Sequence, residues 1–117
     1  MSTLEPGMSL PAATMEVPLH LVDPELRASG SPRTGTMSLV TLPGSGAEVG
    51  VWEHTPGMST DVEVDEVLVV LSGRARIDFL EPELPSIIIG PGDIVRLEAG
   101  MKTKWTITET LRKIYIV

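Results

Sequence analysis

From residue 37 to the C-terminus, short apolar runs alternate with glycine and proline turn signals, and no stretch keeps an amphipathic helical period. The runs are 37–42, 47–54, 61–71, 74–80, 86–89, 93–97, 102–108 and 111–117. The breaks are Pro43-Gly44-Ser45-Gly46, Thr55-Pro56-Gly57, Ser72-Gly73, the segment 81–85, Gly90-Pro91-Gly92, Glu98-Ala99-Gly100 and Thr108-Glu109-Thr110. Runs of this length with this punctuation read as strands. About eight strands in so short a span point to an all-β antiparallel jelly roll. A barrel of about eight strands encloses side chains or one small ligand. Ser72-Gly73 reads as a two-residue hairpin connection, which would make Leu71 and Arg74 partners. The apolar last run, 114–117, reads as a surface for pairing with a second subunit.

Residues 1–36 differ. Pro6, Pro11, Pro18, Pro24 and Pro32 punctuate them, and they show little periodicity. Prolines at this density forbid central strand pairing and long helices. The segment reads as an extended, proline-rich N-terminal arm, with residues 37–117 as the barrel. At most one helical turn is expected in the arm, at Asp23-Pro24-Glu25-Leu26, with Asp23 as cap and Pro24 at the first helical position. Such an arm packs on its own barrel or reaches a second copy.

Composition narrows the function. With 117 residues the chain is one domain. Sixteen acidic residues against nine basic ones give a net charge of −7, the wrong sign for phosphate backbones or anionic membranes. There is no cysteine, which removes disulfides, thiolate metal sites and cysteine nucleophiles, and there are only two histidines. No apolar run approaches the ~18 residues of a membrane span, and the N-terminus lacks a signal-peptide pattern. A soluble cytoplasmic protein without nucleic-acid or membrane partners is the expectation.

Strand side chains alternate between faces. In 61–71 the even face carries Val62, Val64, Glu66, Leu68 and Val70, so Glu66 is expected inside among aliphatic neighbours. A buried charge there needs a cation, donors or a metal. Ion pairing with Arg74, Arg76 or Arg96 would explain it without chemistry. Thr103 and Trp105 share one face of 102–108, and Trp52 and His54 share one face of 47–54. A pocket of Glu66, Thr103 and Trp105 follows; Val49, Val51 and Glu53 share the other face of 47–54, and if Trp52 points inward His54 joins the pocket with it. Glu63 and Asp65 read as a solvated edge, and His20 as surface. No phosphate-binding glycine loop and no Gly-x-Ser-x-Gly elbow is present.

These residues resemble a known family. Glu66, six residues and Gly73 match the end of the first cupin motif; Gly92-Asp93 and Gly100 match the frame of the second. Trp52-Glu53-His54-Thr55-Pro56-Gly57, with Lys104-Trp105-Thr106-Ile107, Glu109 and Leu111-Arg112-Lys113-x-Tyr115, resembles the subgroup that includes the cupin domain of (S)-ureidoglycine aminohydrolase. The resemblance covers residues 40–117 and implies a cupin barrel and metal-assisted deamination. In the metal-binding cupins, motif histidines fall where this chain has Thr60 and Val62, or Ser59 and Asp61, and Thr103. Glu66 alone is retained of four ligands, whereas catalytic sites use about three protein ligands. No tight metal or other cofactor is therefore expected, and any weakly bound divalent ion would use Glu66 with His54 or Asp61.

Three readings follow. In the first, a homodimeric cupin binds a small polar metabolite. Glu66 binds or acts as a base with His54 beside it, Trp52 and Trp105 form walls, and Thr103 offers a hydroxyl. In the second, a metal-assisted aminohydrolase acts on a ureido or amino-acid-like substrate. In the third, a dimeric scaffold has no pocket chemistry.

Overall fold

The computed structural model describes residues 3–117 as an all-β barrel. Its nine strands are β1 (His20–Leu21), β2 (Arg27–Ser29), β3 (Arg33–Thr41), β4 (Glu48–His54), β5 (Gly57–Val62), β6 (Glu66–Glu81), β7 (Glu83–Ile89), β8 (Ile94–Leu97) and β9 (Lys102–Ile116). Neighbours run in the order β1-β3-β4-β9-β5-β2, and β6 joins this path at β9 and carries β7 and β8. Every pairing is antiparallel. Among the described residues, no helix is long and apolar enough to cross a membrane.

Two long strands organise the barrel. β6 (16 residues) and β9 (15 residues) pair from Val67↔Ile116 to Glu81↔Lys102. The expected hairpin at Ser72-Gly73 is therefore absent: both residues lie inside β6, and the break at 108–110 lies inside β9. Gly73 does adopt a turn-like φ of 90°. A Cβ there would strike the backbone of Thr110 and Leu111. The register slips on both sides of it, between Val70 and Ala75. A hairpin and a bulge ask for the same residue types. The difference is made by β9, which supplies Val70, Ser72 and Arg74 with partners at Lys113, Arg112 and Glu109. The chain bends at Gly73 instead of reversing.

Two further expectations change. The run 61–71 is not one strand: β5 ends at Val62 and β6 starts at Glu66. The residues between are tied to the turn before β9, since Glu63 N–H donates to the Met101 carbonyl (2.8 Å) and Gly100 N–H donates to the Glu63 carbonyl (2.9 Å). Nor is the last strand an edge. β9 lies between β4 and β6, with Ile116 opposite Val49 on one side and Val67 on the other, so its backbone is not open to a second subunit.

The core has two parts. Inside the barrel, Leu68, Val70, Ala75, Ile77, Ile89, Leu97, Trp105, Ile107 and Leu111 are buried together. Outside it, Val17, Leu39 and Val51 form a second cluster, covered by Leu4, Leu10, Met15 and Leu19. The proline-rich segment lies on its own barrel, and β3 begins at Arg33, so that strand runs across the 36/37 boundary. At 23–27 there is a single turn, closed by Leu26 N–H to the Asp23 carbonyl at 2.9 Å.

Arg112 pins this covering. It pairs with Glu53 of the neighbouring strand at 2.8 and 3.0 Å and donates to the carbonyls of Ala12 (3.0 Å) and Met15 (2.5 Å). Arg112 is 7% exposed, so these are charge-assisted bonds in a water-poor setting. Arg112→Ala should lower unfolding stability by about 2–4 kcal/mol. It should also open a new protease site between residues 10 and 20. Arg112→Lys should rescue only part, because lysine lacks the fork. Denaturant titration and limited proteolysis check both.

Candidate functional site

The period of two on neighbouring strands builds the site. Trp52 of β4 stands opposite Lys113 of β9, and Glu53 stands opposite Arg112. One residue of each dipeptide faces the lumen and the other faces the N-terminal segment. The inward face of β4 carries Trp52 and His54; that of β9 carries Thr103, Trp105, Lys113 and Tyr115. All of these except Thr103 line a cavity of about 370 Å³, with Asp61, Glu63, Glu66 and Ser59. Leu26, Thr36, Asp61, Val62, Val64 and Val117 are the exposed members of its lining and form its rim.

At the centre Lys113 Nζ donates to Glu66 Oε2 at 2.8 Å, and both side chains are 7% exposed. The ammonium also sits 4.5 Å from the Trp52 ring centre and 5.0 Å from that of Trp105. The two indoles are 5.7 Å apart and tilted by 56°. A desolvated ammonium between aromatic faces gains cation–π stabilisation in addition to its ion pair. Glu66 is thus inside as its parity requires, but its partner is neither Arg74, Arg76 nor Arg96. Arg76 pairs with Asp78 and Arg96 with Asp65, both at the surface. Sequence nearness misleads here, because Lys113 reaches Glu66 only through the β6–β9 pairing, across 47 residues.

His54 is 2% exposed, and both its nitrogens are committed. Nδ1 lies 2.6 Å from the Thr55 carbonyl, which only accepts, so Nδ1 carries the proton and Nε2 accepts from the Ser59 hydroxyl at 2.9 Å. Burial holds the imidazole below its usual range, partly opposed by the Thr55 bond, and the Lys113 charge lowers it further. His54 lines the cavity as a neutral ring stacked 5.4 Å from Trp52.

Glu63 corrects the expectation of a solvated edge. It is 7% exposed, while Asp65 and Val64 beside it stay in solvent. The break between β5 and β6 contains no glycine or proline, so the parity change at 63–65 leaves no mark in the sequence. Thr103 Oγ1 and Trp105 Nε1 donate to Glu63 Oε2 at 2.7 and 3.0 Å. Burial raises its carboxyl above the usual range, against the pull of those two donors. Thr103 and Trp105 face inward as read, but they hold Glu63, and Thr103 is wholly buried. Val62 and Val64, expected inside, are 60% and 57% exposed. Asp61 stands on the rim, its carboxyl raised first by the loss of water around it.

The donor set does not fit a cupin metal. Glu66 is taken by Lys113, His54 Nε2 by Ser59, and Thr60, Val62 and Thr103 stand at histidine positions. Among the described residues no group of three histidine or carboxylate side chains converges on one point. Lys113 supplies a fixed positive charge in the lumen instead.

A curled antiparallel barrel with its polar groups gathered in the lumen defines a cupin. The EutQ-like cupin domain family matches residues 42–115, and the chain belongs to it. Its fold is similar to a protein of unknown function of the DUF861 family from Pseudomonas syringae pv. tomato (TM-score 0.74, 24% identity, 89% of this chain and 45% of that one). It is similar to the Clostridium difficile EutQ protein (TM-score 0.66, 19% identity, 92% and 83%). It is also similar to a cupin superfamily protein from Desulfitobacterium hafniense (TM-score 0.67, 16% identity, 99% and 94%). The chain spans less than half the length of the Pseudomonas protein. No curated relative matches it. At these identities the likeness is one of fold.

Two measurements probe the site. Lys113→Met strands a buried carboxylate and should cost about 3–5 kcal/mol of stability, whereas Lys113→Met with Glu66→Leu should be close to neutral. A double-mutant cycle by denaturant titration reads the difference. For His54 the sign is set by its lowered pKa. Above the ordinary value of 6.5 neither state is charged, and below it the unfolded chain binds a proton that the folded chain refuses. Stability should therefore fall as pH drops below 6.5, and His54→Gln should flatten that slope in thermal melts.

Proposed function

We propose that the barrel binds one small polar metabolite in its lumen without a tightly held metal. The carrying observation is the cavity of about 370 Å³ with two indole walls around the Lys113–Glu66 pair. The volume falls in the ordinary range for small-molecule sites, and the lining joins apolar walls to an unusually large set of polar groups. Trp52 and Trp105 supply apolar surface. The Lys113–Glu66 pair supplies an oriented dipole, and His54 a neutral ring. A homodimer belongs to the same proposal. It is supported by Ile88 and Ile94, which stand 68% and 70% exposed on β7 and β8.

The aminohydrolase reading has less support. Its signature segments, Trp52-Glu53 and Arg112-Lys113, have structural work in the barrel as cage, ion pair and clamp. The metal that reading requires has no converging ligand set among the described residues. The scaffold reading asks for a filled interior, and the lumen is not filled.

The test is a metabolite screen by native mass spectrometry. The parent is compared with Glu66→Gln and with the Glu66→Leu/Lys113→Met pair, whose interior charge is balanced. Both variants should lose binding by about tenfold or more, a change of ~1.4 kcal/mol. Undiminished binding by the folded pair would remove Glu66 and Lys113 from the site. Elemental analysis of the untagged protein should find metal well below one ion per chain, and a full complement would reverse the proposal.

A further inference from the structure

The lumen carries an excess of acid. Glu48, Asp61, Glu63 and Glu66 line it against one ammonium, Lys113, which Glu66 already neutralises. Among the described residues no Lys, Arg or His forms a salt bridge with Glu63, Asp61 or Glu48.

Glu63 is the informative member. More than nine tenths of it is buried, and its backbone is bonded on both sides to the turn before β9, so the side chain is held in the lumen. Oε2 takes both available donors, Thr103 and Trp105, and Oε1 takes none. Among the described residues the fully buried polar side-chain atoms without a partner are Arg27 Nε and Tyr115 Oη, so Oε1 keeps contact with the cavity. If Glu63 served only to anchor Thr103 and Trp105, a glutamine carbonyl would accept the same two bonds without a buried charge. An uncompensated buried carboxylate costs several kcal/mol. Among the described residues the cation that acts on Glu63 is Lys113, which is bonded to Glu66, so Glu63 has no cation of its own.

We infer that the ligand supplies it: a small organic cation, a primary ammonium or an amidinium, whose N–H donates to Glu63 Oε1 while its carbon skeleton lies against Trp52 and Trp105. This rests on the metabolite-binding reading above and names the ligand class for that site. An anion would meet Glu48, Asp61 and Glu63 without a free counter-charge. A bare divalent ion finds no third ligand beside Glu63 and Asp61. The indoles already face the Lys113 ammonium, so they offer the ligand apolar surface for its carbon skeleton while its charge goes to Glu63.

The exchange balances in either state: where the free carboxyl holds its proton, a protonated amine gives a carboxylate–ammonium ion pair and that proton goes to solvent, and where the carboxyl is already ionised no proton moves. Burial favours the protonated carboxyl in the free protein, and the cation favours the ionised one. Affinity for an amine therefore rises with pH through the Glu63 titration, until the amine itself loses its proton.

The reporter is the Trp105 indole N–H, which is bonded to Glu63; its proton–nitrogen NMR resonance is told from that of Trp52 with Trp52→Phe. The probes are n-propylamine and methylguanidine, set against n-propanol and propionate of matched shape. Both cations should shift the Trp105 resonance at millimolar concentration and bind more tightly as pH rises, by about tenfold or more over the alcohol. In Glu63→Gln, which keeps the Thr103 and Trp105 bonds, that advantage should vanish together with its pH dependence. Should that variant fail to fold, the pH dependence of amine affinity in the parent carries the test.

Propanol or propionate binding as well as propylamine would overturn the cation inference and leave the metabolite reading standing. Amine binding that ignores pH and Glu63→Gln does the same. A response to none of the four probes overturns the inference, while the metabolite screen still judges the broader reading. Micromolar calcium or manganese ions shifting the same resonance would assign the site to a metal and overturn both.

Discussion

One buried ammonium orders the interior of this barrel. Lys113 is held at 2.8 Å by Glu66 and faced by Trp52 and Trp105, and these four side chains come from β9, β6, β4 and β9 again. Neither member of the Lys113–Glu66 pair is well tolerated there without the other. A lone carboxylate or ammonium out of water costs more than most single contacts recover. Together they fix the rotation of β4 and β9, and hence which residues line the cavity. A metal-binding cupin uses a divalent ion to draw side chains from several strands to one point. Here an amino-acid side chain provides the positive charge.

The outer face depends on the same register. Each of Trp52-Glu53 and Arg112-Lys113 sends one side chain in and one out. The outward pair, Glu53 and Arg112, holds the carbonyls of Ala12 and Met15 and so fastens the N-terminal segment over Val51 and Leu39. Slipping β9 by one residue would put two charges into apolar surroundings on both faces at once. The covering of the barrel and the chemistry of its lumen are one constraint seen from two sides.

The lumen chemistry then divides by environment. Glu66 is compensated within the chain, Glu63 is not, and His54 is neutral with both nitrogens engaged. A site with one balanced pair and one unbalanced carboxyl is asymmetric along its length. In the proposed reading it orients a ligand by charge at one end and by indole contact along its side. Tyr115 adds a neutral phenol beside Glu48. Its hydroxyl lacks a bond of normal geometry, and burial and the nearby Glu48 carboxylate push it up to about 12.

By itself the sequence determined what depends on local alternation. The all-β class and the inward direction of Glu66, Thr103 and Trp105 were legible, and so was the sharing of one face by Trp52 and His54, though not which face that was. Each follows from residue type and a period of two along an unbroken strand. Only the tertiary structure decided the rest. Whether Gly73 reverses the chain or bends it depends on β9 lying alongside. Whether Glu63 is in water or buried depends on the turn at 98–101 capturing residues 63–65. That Lys113 answers Glu66 depends on a pairing 47 residues apart. These are non-local contacts, and a chain's alternation carries no term for the neighbour that has yet to arrive.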